Sequence, residues 1–417
     1  MSALDPVVTH EGRAELDPAR LDARDPLAAL RDRFVGAETP LVYLDGNSLG
    51  RPLAVTADRL AGFVREEWGG RLIRGWDEGW LDLPARLGDR LGDVALGAAA
   101  GQLAVGDSTT VWLYKLLRAA VDAQLRADPR RTEIVVDSDN FPTDRYVAEG
   151  VAAERGCRVR WVEVDRELGL TPDLLAAAVG ERTAVVLLSH VAYRSGYLAD
   201  APRLTRIAHE AGALVLLDLC HSAGAVPVEL DAWEVDLAAG CTYKYLNGGP
   251  GAPAFGYVAA RHHGELAQPI QGWMGHAEPF AMGPGYRAAP GIRGFVSGTP
   301  SVVGMLALQD MLDLVEEAGL SAVRAKSVAL TEYAVALSDA WLASLGVGLG
   351  SPRDPALRGG HVTLTHPRMR EVVAALWQRD VLPDYREPHG LRVGLSPLST
   401  SYEEVHRGLS LVRDLLG

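Results

Sequence analysis

Between residues 100 and 260 the chain alternates short, wholly apolar runs with longer segments whose apolar positions recur every three or four residues. The runs at 103–106, 133–136, 159–164, 184–189, 214–218 and 254–258 have the length of strands. Most of them lack the polar alternation of a strand with one wet face, so they read as strands covered on both sides. The segments at 109–126, 144–154 and 199–211 have the length and period of helices. Strands alternating with helices in this way predict an α/β fold built on a mainly parallel sheet flanked by helices. Such a sheet binds its ligands at the carboxyl ends of its strands.

After Gly291 the pattern changes. A long helical stretch covers 302–345 and ends in a glycine-rich turn at 346–350. That turn lacks the preceding strand and following helix of a dinucleotide fingerprint, so it reads as a flexible loop. A strand at 361–365, a helix at 367–379, a strand at 391–395 and a helix at 402–416 follow. Together they predict a smaller α+β domain, with the long helix as its connector.

Composition narrows the class. The chain has 417 residues, 48% hydrophobic and 23% charged, the balance of a well-buried globular protein. Its net charge of -13 disfavours nucleic acid and anionic membranes as partners, since both need clustered Lys and Arg. Residues 1–20 are polar and carry no apolar core of a signal peptide. The longest apolar stretches, such as 184–188 and 213–217, are far too short to span a bilayer. Cys157, Cys220 and Cys241 form neither a disulfide framework nor a zinc-ligand pattern. No His-Glu-x-x-His spacing occurs, and His262-His263 reads as a solvated turn, so no metal is expected. These features point to a cytoplasmic protein acting on a small molecule.

Lysine carries the first chemical signal. Only Lys115, Lys244 and Lys326 occur, and arginine supplies the other basic side chains. Guanidinium cannot form a Schiff base, so a retained lysine is a candidate for amine chemistry. Lys115 and Lys326 fall inside helical patterns and read as surface residues. Lys244 follows the apolar segment 237–240 and lies between aromatics and glycines, in Cys241-Thr242-Tyr243-Lys244-Tyr245-Leu246-Asn247-Gly248-Gly249. Upstream, Asp218 ends a buried strand, with His221 three residues on. A carboxylate there can pair with the pyridinium nitrogen of pyridoxal phosphate and keep the ring able to accept electrons. Gly106-Asp107-Ser108-Thr109-Thr110 follows the first strand and opens a helix, offering hydroxyls and free N–H groups to a phosphate. Ser and Thr are also ordinary helix caps, so this last signal counts through its strand-end position.

At this point the sequence resembles kynureninase, a pyridoxal phosphate enzyme of fold type I that cleaves L-kynurenine to anthranilate and L-alanine. The resemblance runs from Tyr43 to about Glu404. It rests on Tyr43-Leu44-Asp45-Gly46-Asn47-Ser48-Leu49-Gly50, Asn140-Phe141-Pro142-Thr143-Asp144, His221-Ser222-Ala223-Gly224-Ala225 and the block from Cys241 to Gly251. Gly272-Trp273-Met274-Gly275-His276 and Asp384-Tyr385-Arg386-Glu387-Pro388 extend it. The resemblance implies an aspartate aminotransferase-like fold with a seven-stranded sheet. Its parts would be an N-terminal segment (1–55) joining the small domain, a large cofactor-binding domain (56–300), and a connector helix with the small domain (301–417). It implies Lys244 as the Schiff-base lysine and Asp218 as partner of the ring nitrogen. Phe141 would stack on the ring, with Asp144 hydrogen-bonding nearby. Ser108, Thr109 and Tyr243 would hold the phosphate, Tyr243 also moving protons, and Ser189 and His221 would complete the pocket. Trp273 and Thr299 would reach the site from a second subunit, which implies a homodimer with shared sites. Arg392 would clamp the substrate carboxylate, with Asn47 and Ser48 at the same end. Trp76 and Thr299 match a pattern associated with unsubstituted L-kynurenine; core packing is an equal reading of Trp76.

The chain departs from the family at Ala192, where Asn is usual, at Cys220, commonly Ala, and at Pro300-Ser301, a Gln-Pro pair elsewhere. Action on a 3-hydroxy- or methyl-substituted kynurenine is the nearest alternative. Among other fold-type-I enzymes, a cysteine desulfurase needs a nucleophilic cysteine late in the chain, and the last cysteine here is Cys241. An aminotransferase shares the first half of the chemistry, and alanine release without a keto-acid acceptor separates the two. A non-catalytic scaffold would lack some of Lys244, Asp218, Tyr243 and Arg392, all of which are present.

Overall fold

A computed structural model describes residues 16–417. The first fifteen residues of the polar N-terminal stretch, and the reading made of them, lie outside the described residues. Seven strands form the central sheet: β1 (Leu103–Gly106), β2 (Glu133–Asp137), β3 (Arg158–Val162), β4 (Thr183–Ser189), β5 (Leu214–Asp218), β6 (Leu237–Gly240) and β7 (Ala254–Val258). Their order is β1-β7-β6-β5-β4-β2-β3. All neighbours are parallel except β7, which runs antiparallel to β1 and β6. The sheet is therefore mainly parallel, as the pattern predicts.

Burial follows the apolar runs. Strands β2, β6 and β7 are buried throughout, because helices cover both faces. The edge strand β3 differs: Arg158, Arg160 and Trp161 are exposed, so water reaches this strand as it does an uncovered sheet edge. Two cores lie against the sheet. Leu188, Leu217 and Phe255 belong to one and Trp112, Val136 and Leu187 to the other. Among the covering helices are α1 (Thr109–Ala127), α2 (Pro142–Arg155) and α3 (Ala201–Glu210).

The stretch expected as one long helix divides in two, α4 (Val302–Ala318) and α5 (Leu320–Leu337). Gly319 separates them at φ 76°, a left-handed conformation that ends an α-helix. Beyond it, part of the turn expected to be a flexible loop is instead an edge strand. Residues Gly348–Leu349 (β8) pair with β9 (His361–Thr365), which pairs in turn with β11 (Gly390–Gly394), and β10 (Asp384–Arg386) closes the far side. Helix α6 (Tyr402–Leu416) packs behind this smaller sheet. It starts with a capping box in which Ser401 and Glu404 satisfy each other's backbone. Glu404 also accepts a hydrogen bond from the buried Arg51 at 2.8 Å.

Residues near the N-terminus join the core of this smaller sheet. Leu21, Val42 and Leu44 are buried with Leu364, Leu391 and Val405. Val42–Tyr43 runs parallel to Val381–Leu382, and a bridge links Asp45 to Gly394. The chain from 45 to 51 is thereby laid between the two sheets. No helix among the described residues is long and apolar enough to cross a membrane.

Candidate active site

Strand ends gather the candidate residues. Asp218 closes β5, Ser189 closes β4 beside it in register, and Lys244 follows β6 by four residues. Phe141 and Asp144 follow β2, Asp144 in the first turn of α2, whose opening position is Pro142. Phe141, Asp144, Ser189, Asp218, His221, Tyr243 and Lys244 line one cavity of about 80 Å³. The carboxyl-end rule therefore locates this cavity. Thr110, Thr143 and Cys220, which lie within or beside the sequence motifs, line it too, as do Val191 and Tyr193, which were not singled out as site residues. The parallel-sheet connectivity brings the last two there.

The electrostatics of the cavity are unbalanced. Lys244 Nζ lies 3.0 Å from His221 Nε2 and 5.9 Å from the centre of the Phe141 ring. The same His221 nitrogen lies 3.1 Å from the Asn47 carbonyl oxygen, and one nitrogen can serve only one of these partners. Burial, with Lys244 next in effect, holds the His221 imidazole far below its usual pKa, so it is neutral. Opposite, the buried Asp144 carboxyl faces that of Asp218, and neither Asp144 oxygen meets a donor. Burial first, then Asp218, raises the Asp144 pKa far above the carboxylate range. One Asp218 oxygen accepts the Cys220 N–H at 2.6 Å.

This donor set fits pyridoxal phosphate. A pyridinium N–H supplies a donor where the buried Asp144 carboxyl beside Asp218 has none, Lys244 supplies the amine, and Phe141 supplies an aromatic face. A second cavity, of about 480 Å³, contains Ser108, Thr109, Tyr243 and Thr299 in its lining. Thr109, Thr110 and Tyr243 line both cavities, so the two adjoin. Ser108 caps α1, its hydroxyl accepting the Val111 N–H at 3.4 Å, and so the capping and anion-binding readings coexist. Burial pushes the Tyr243 hydroxyl well above its ordinary pKa, keeping it a phenol.

Arg392 on β11 is 1% exposed and held by several partners. It donates to the Tyr193 carbonyl at 2.7 Å, to Ser48 Oγ at 2.8 Å and to Asp384 Oδ2 at 2.7 Å, with Asp45 3.8 Å away. With its amide turned, Asn47 accepts from Arg392 Nε at 3.0 Å and donates to Asp45 at 3.1 Å. Burial raises the Asp45 pKa to about 6, against the pull of Ser48 and Arg392. Asp45 and Asp384 bracket the guanidinium. The Asp384 motif was legible in the sequence; its role beside Arg392 was not. The segment 47–50 connects the two ends: Asn47 touches His221, Ser48 touches Arg392, and the Gly50 N–H donates to the Tyr243 carbonyl at 2.8 Å.

Five expected residues line neither cavity within the chain: Asn47, Ser48 and Arg392, which reach the smaller one only through the Asn47 contact with His221, and Trp76 and Trp273. Trp76 is half-buried and meets Trp80 edge-on at 5.5 Å. Trp273 is 39% exposed and meets Phe280 edge-on. Three other readings are corrected. Lys115 and Lys326 are buried rather than on the surface, each with an acidic partner, Asp107 and Asp25. The helical period places both on inward faces. His262 does not sit on a solvated turn, since Asp236 accepts from it at 2.7 Å and also binds His209 and Arg261. The cysteines are free, and no metal-binding cluster of His, Cys, Asp or Glu occurs among the described residues.

Comparison with known proteins agrees with this geometry. A family model described as the kynureninase C-terminal domain matches residues 323–412, and one for class-V aminotransferases matches residues 117–345. The kynureninase of Burkholderia pseudomallei (strain 1106a) is 44% identical over 399 residues, covering 95% of this chain and 94% of the relative. That of Pseudomonas fluorescens is 43% identical over 404 residues, covering 96% and 95%. Among solved structures, a cysteine desulfurase from Thermococcus onnurineus NA1 matches with a TM-score of 0.79 at 18% identity, over 94% of this chain and 98% of that one. A C-DES mutant with glycine covalently linked to its PLP cofactor matches at 0.81 and 20% identity, over 92% and 99%. At such identity these two establish the fold alone.

Proposed function

The chain belongs to the kynureninase family, and on that premise we propose that it hydrolyses the Cβ–Cγ bond of L-kynurenine, releasing anthranilate and L-alanine, with pyridoxal phosphate as cofactor. The observation that carries the reading is the cavity in which Lys244 faces Phe141 while the Asp144 carboxyl, beside Asp218, lacks a donor.

Bound there, pyridoxal phosphate supplies a sink for the negative charge that develops at the substrate's α-carbon. Asp218 would hold the ring nitrogen, Phe141 the ring face, and Ser108, Thr109 and Tyr243 the phosphate, with Ser189 and His221 closing the pocket. Lys244 Nζ removes the α-proton and later returns a proton to the alanine fragment. His221, neutral and 3.0 Å away, accepts from the Lys244 amine and fixes where it points. The Tyr243 phenol, held protonated by burial, donates a proton when water adds to the substrate carbonyl. Arg392 receives the substrate carboxylate, with Asn47 and Ser48 orienting the guanidinium. Lys244→Ala is expected to lose both turnover and the visible absorbance of lysine-linked cofactor; a variant retaining both excludes the scheme.

The working unit in this reading is a homodimer with shared sites, Trp273 and Thr299 serving the neighbouring chain, while Thr299 also lines the cavity beside Ser108 and Thr109 of its own chain. Exposed apolar side chains support it: Val64, Trp68, Leu72 and Ile73 on one segment, Ile270, Phe280 and Met282 on another. The free cysteines fit a reducing cytoplasm, and the reaction a place in tryptophan breakdown that feeds NAD synthesis. Trp76 and Thr299 favour unsubstituted L-kynurenine, so its specificity constant should exceed that for 3-hydroxykynurenine.

A further inference from the structure

We propose that Lys115 is the positioning residue of the phosphate end of the site, fixing the turn at 107–109 and the segment at 295–299 in the arrangement that receives the cofactor's phosphate. The inference rests on reading the larger cavity as the phosphate site.

Lys115 lies on the inner face of α1 and is 0% exposed. Its ammonium has three protons and three acceptors: Asp107 Oδ2 at 2.7 Å, the Phe295 carbonyl at 2.6 Å and Ser297 Oγ at 3.3 Å. The charge stands 3.8 Å from the centre of the Trp112 ring. That ring is itself fixed, its Nε1 donating to the Gly106 carbonyl at 2.7 Å while its face lies where a Cβ on Gly256 would collide. Each contact of Lys115 therefore ends on a wall of the larger cavity or on the segment leading to it.

Both walls need such a tie. Asp107 sits at φ 44°, a left-handed conformation that a residue other than glycine keeps only when its surroundings hold it. The next two residues are Ser108 and Thr109, so the direction of their hydroxyls and N–H groups follows from Asp107. On the other wall Phe295 and Ser297 lead within four residues to Thr299. No backbone hydrogen bond among the described residues joins Asp107 to the 295–299 segment; the Lys115 ammonium does. A compact ammonium meets three convergent acceptors above a ring, whereas a planar guanidinium does not, which accounts for lysine in a chain that otherwise relies on arginine.

Apoprotein of the wild type and of Lys115→Met is titrated with pyridoxal phosphate and, separately, with pyridoxal, following the visible absorbance of the bound form. Loss of a charge-assisted tie predicts about tenfold or greater weakening for pyridoxal phosphate, with pyridoxal affinity unchanged. Equal weakening of both ligands, or of neither, overturns the proposal, because a merely structural lysine does not distinguish them. A wild-type protein with no preference for the phosphorylated ligand refutes the phosphate-site reading itself. Should Lys115→Met fail to fold, the near-isosteric Asp107→Asn takes its place, with the same selective loss expected and its absence equally fatal.

Discussion

Asp144 and Asp218, both buried, turn their carboxyls toward each other, and both Asp144 oxygens lack a donor. Two buried acceptors facing each other are costly unless one carries a proton or a donor arrives between them. The ring nitrogen of the cofactor is such a donor, and Asp218 is the carboxylate that keeps it protonated. Asp218→Asn should therefore lower kcat by about a hundredfold or more, the scale of losing one preorganised partner of developing charge. Asp144→Asn should cost less, since its partner needs a neutral neighbour and the amide is one. Anthranilate release by the two variants under saturating substrate gives the comparison; equal losses would contradict these separate roles.

The same burial sets the pH response of the cofactor-free protein. Asp45 is raised to about 6, Asp137 to about 7, and Asp144 well above the carboxylate range, burial being the largest cause for each. Raised carboxyls make the folded state bind more protons than the unfolded one between their two pKa values. Their contribution to stability is then complete below the ordinary carboxylate pKa of 3.8 and is lost as pH rises through about 6 to 7, while the buried His190, His221 and His361, held below their usual pKa, contribute in the opposite sense. The carboxyl share is isolated by comparing apoprotein of the wild type with Asp137→Asn: the thermal midpoint of the variant relative to wild type should be higher at neutral pH than at mildly acidic pH. A relative midpoint that falls over that interval would contradict it.

Arg392 already binds Asp384 and Ser48, so a substrate carboxylate enters a guanidinium whose orientation is fixed beforehand. Lysine cannot reproduce that fork. Arg392→Lys should raise KM for L-kynurenine by about tenfold to a hundredfold, the range expected for one charged hydrogen bond, with a smaller change in kcat. A steady-state comparison of the two constants checks this, and an unchanged KM would remove Arg392 from substrate binding.

Much of the sheet was legible because its strands are buried on both faces: 214–218 and 254–258 read from the apolar pattern coincide with β5 and β7. The connector helix was misread as continuous because a single Gly319 leaves the apolar period unbroken on either side. Scarcity of lysine pointed to Lys244, but the same scarcity applied to Lys115 and Lys326. Helical patterns hid their burial, since a lysine on an inward face looks like one on an outward face until its acidic partner is placed. For Lys326 that partner, Asp25, is 301 positions away. Trp76 and Trp273 were legible only by resemblance, and neither reaches the cavities within the chain. The brackets of Arg392, Asp45 and Asp384, come from opposite ends of the sequence and meet only because 42–43 pairs with 381–382.

Hydrolytic cleavage and amino transfer differ in both products, which are read out at once. Purified holoenzyme is incubated with L-kynurenine while anthranilate fluorescence and free alanine are followed together, with and without an added keto acid. Equal amounts of anthranilate and alanine are expected, unaffected by the keto acid. Kynurenine consumed without anthranilate, or only when a keto acid is present to take the amino group, would contradict hydrolytic cleavage.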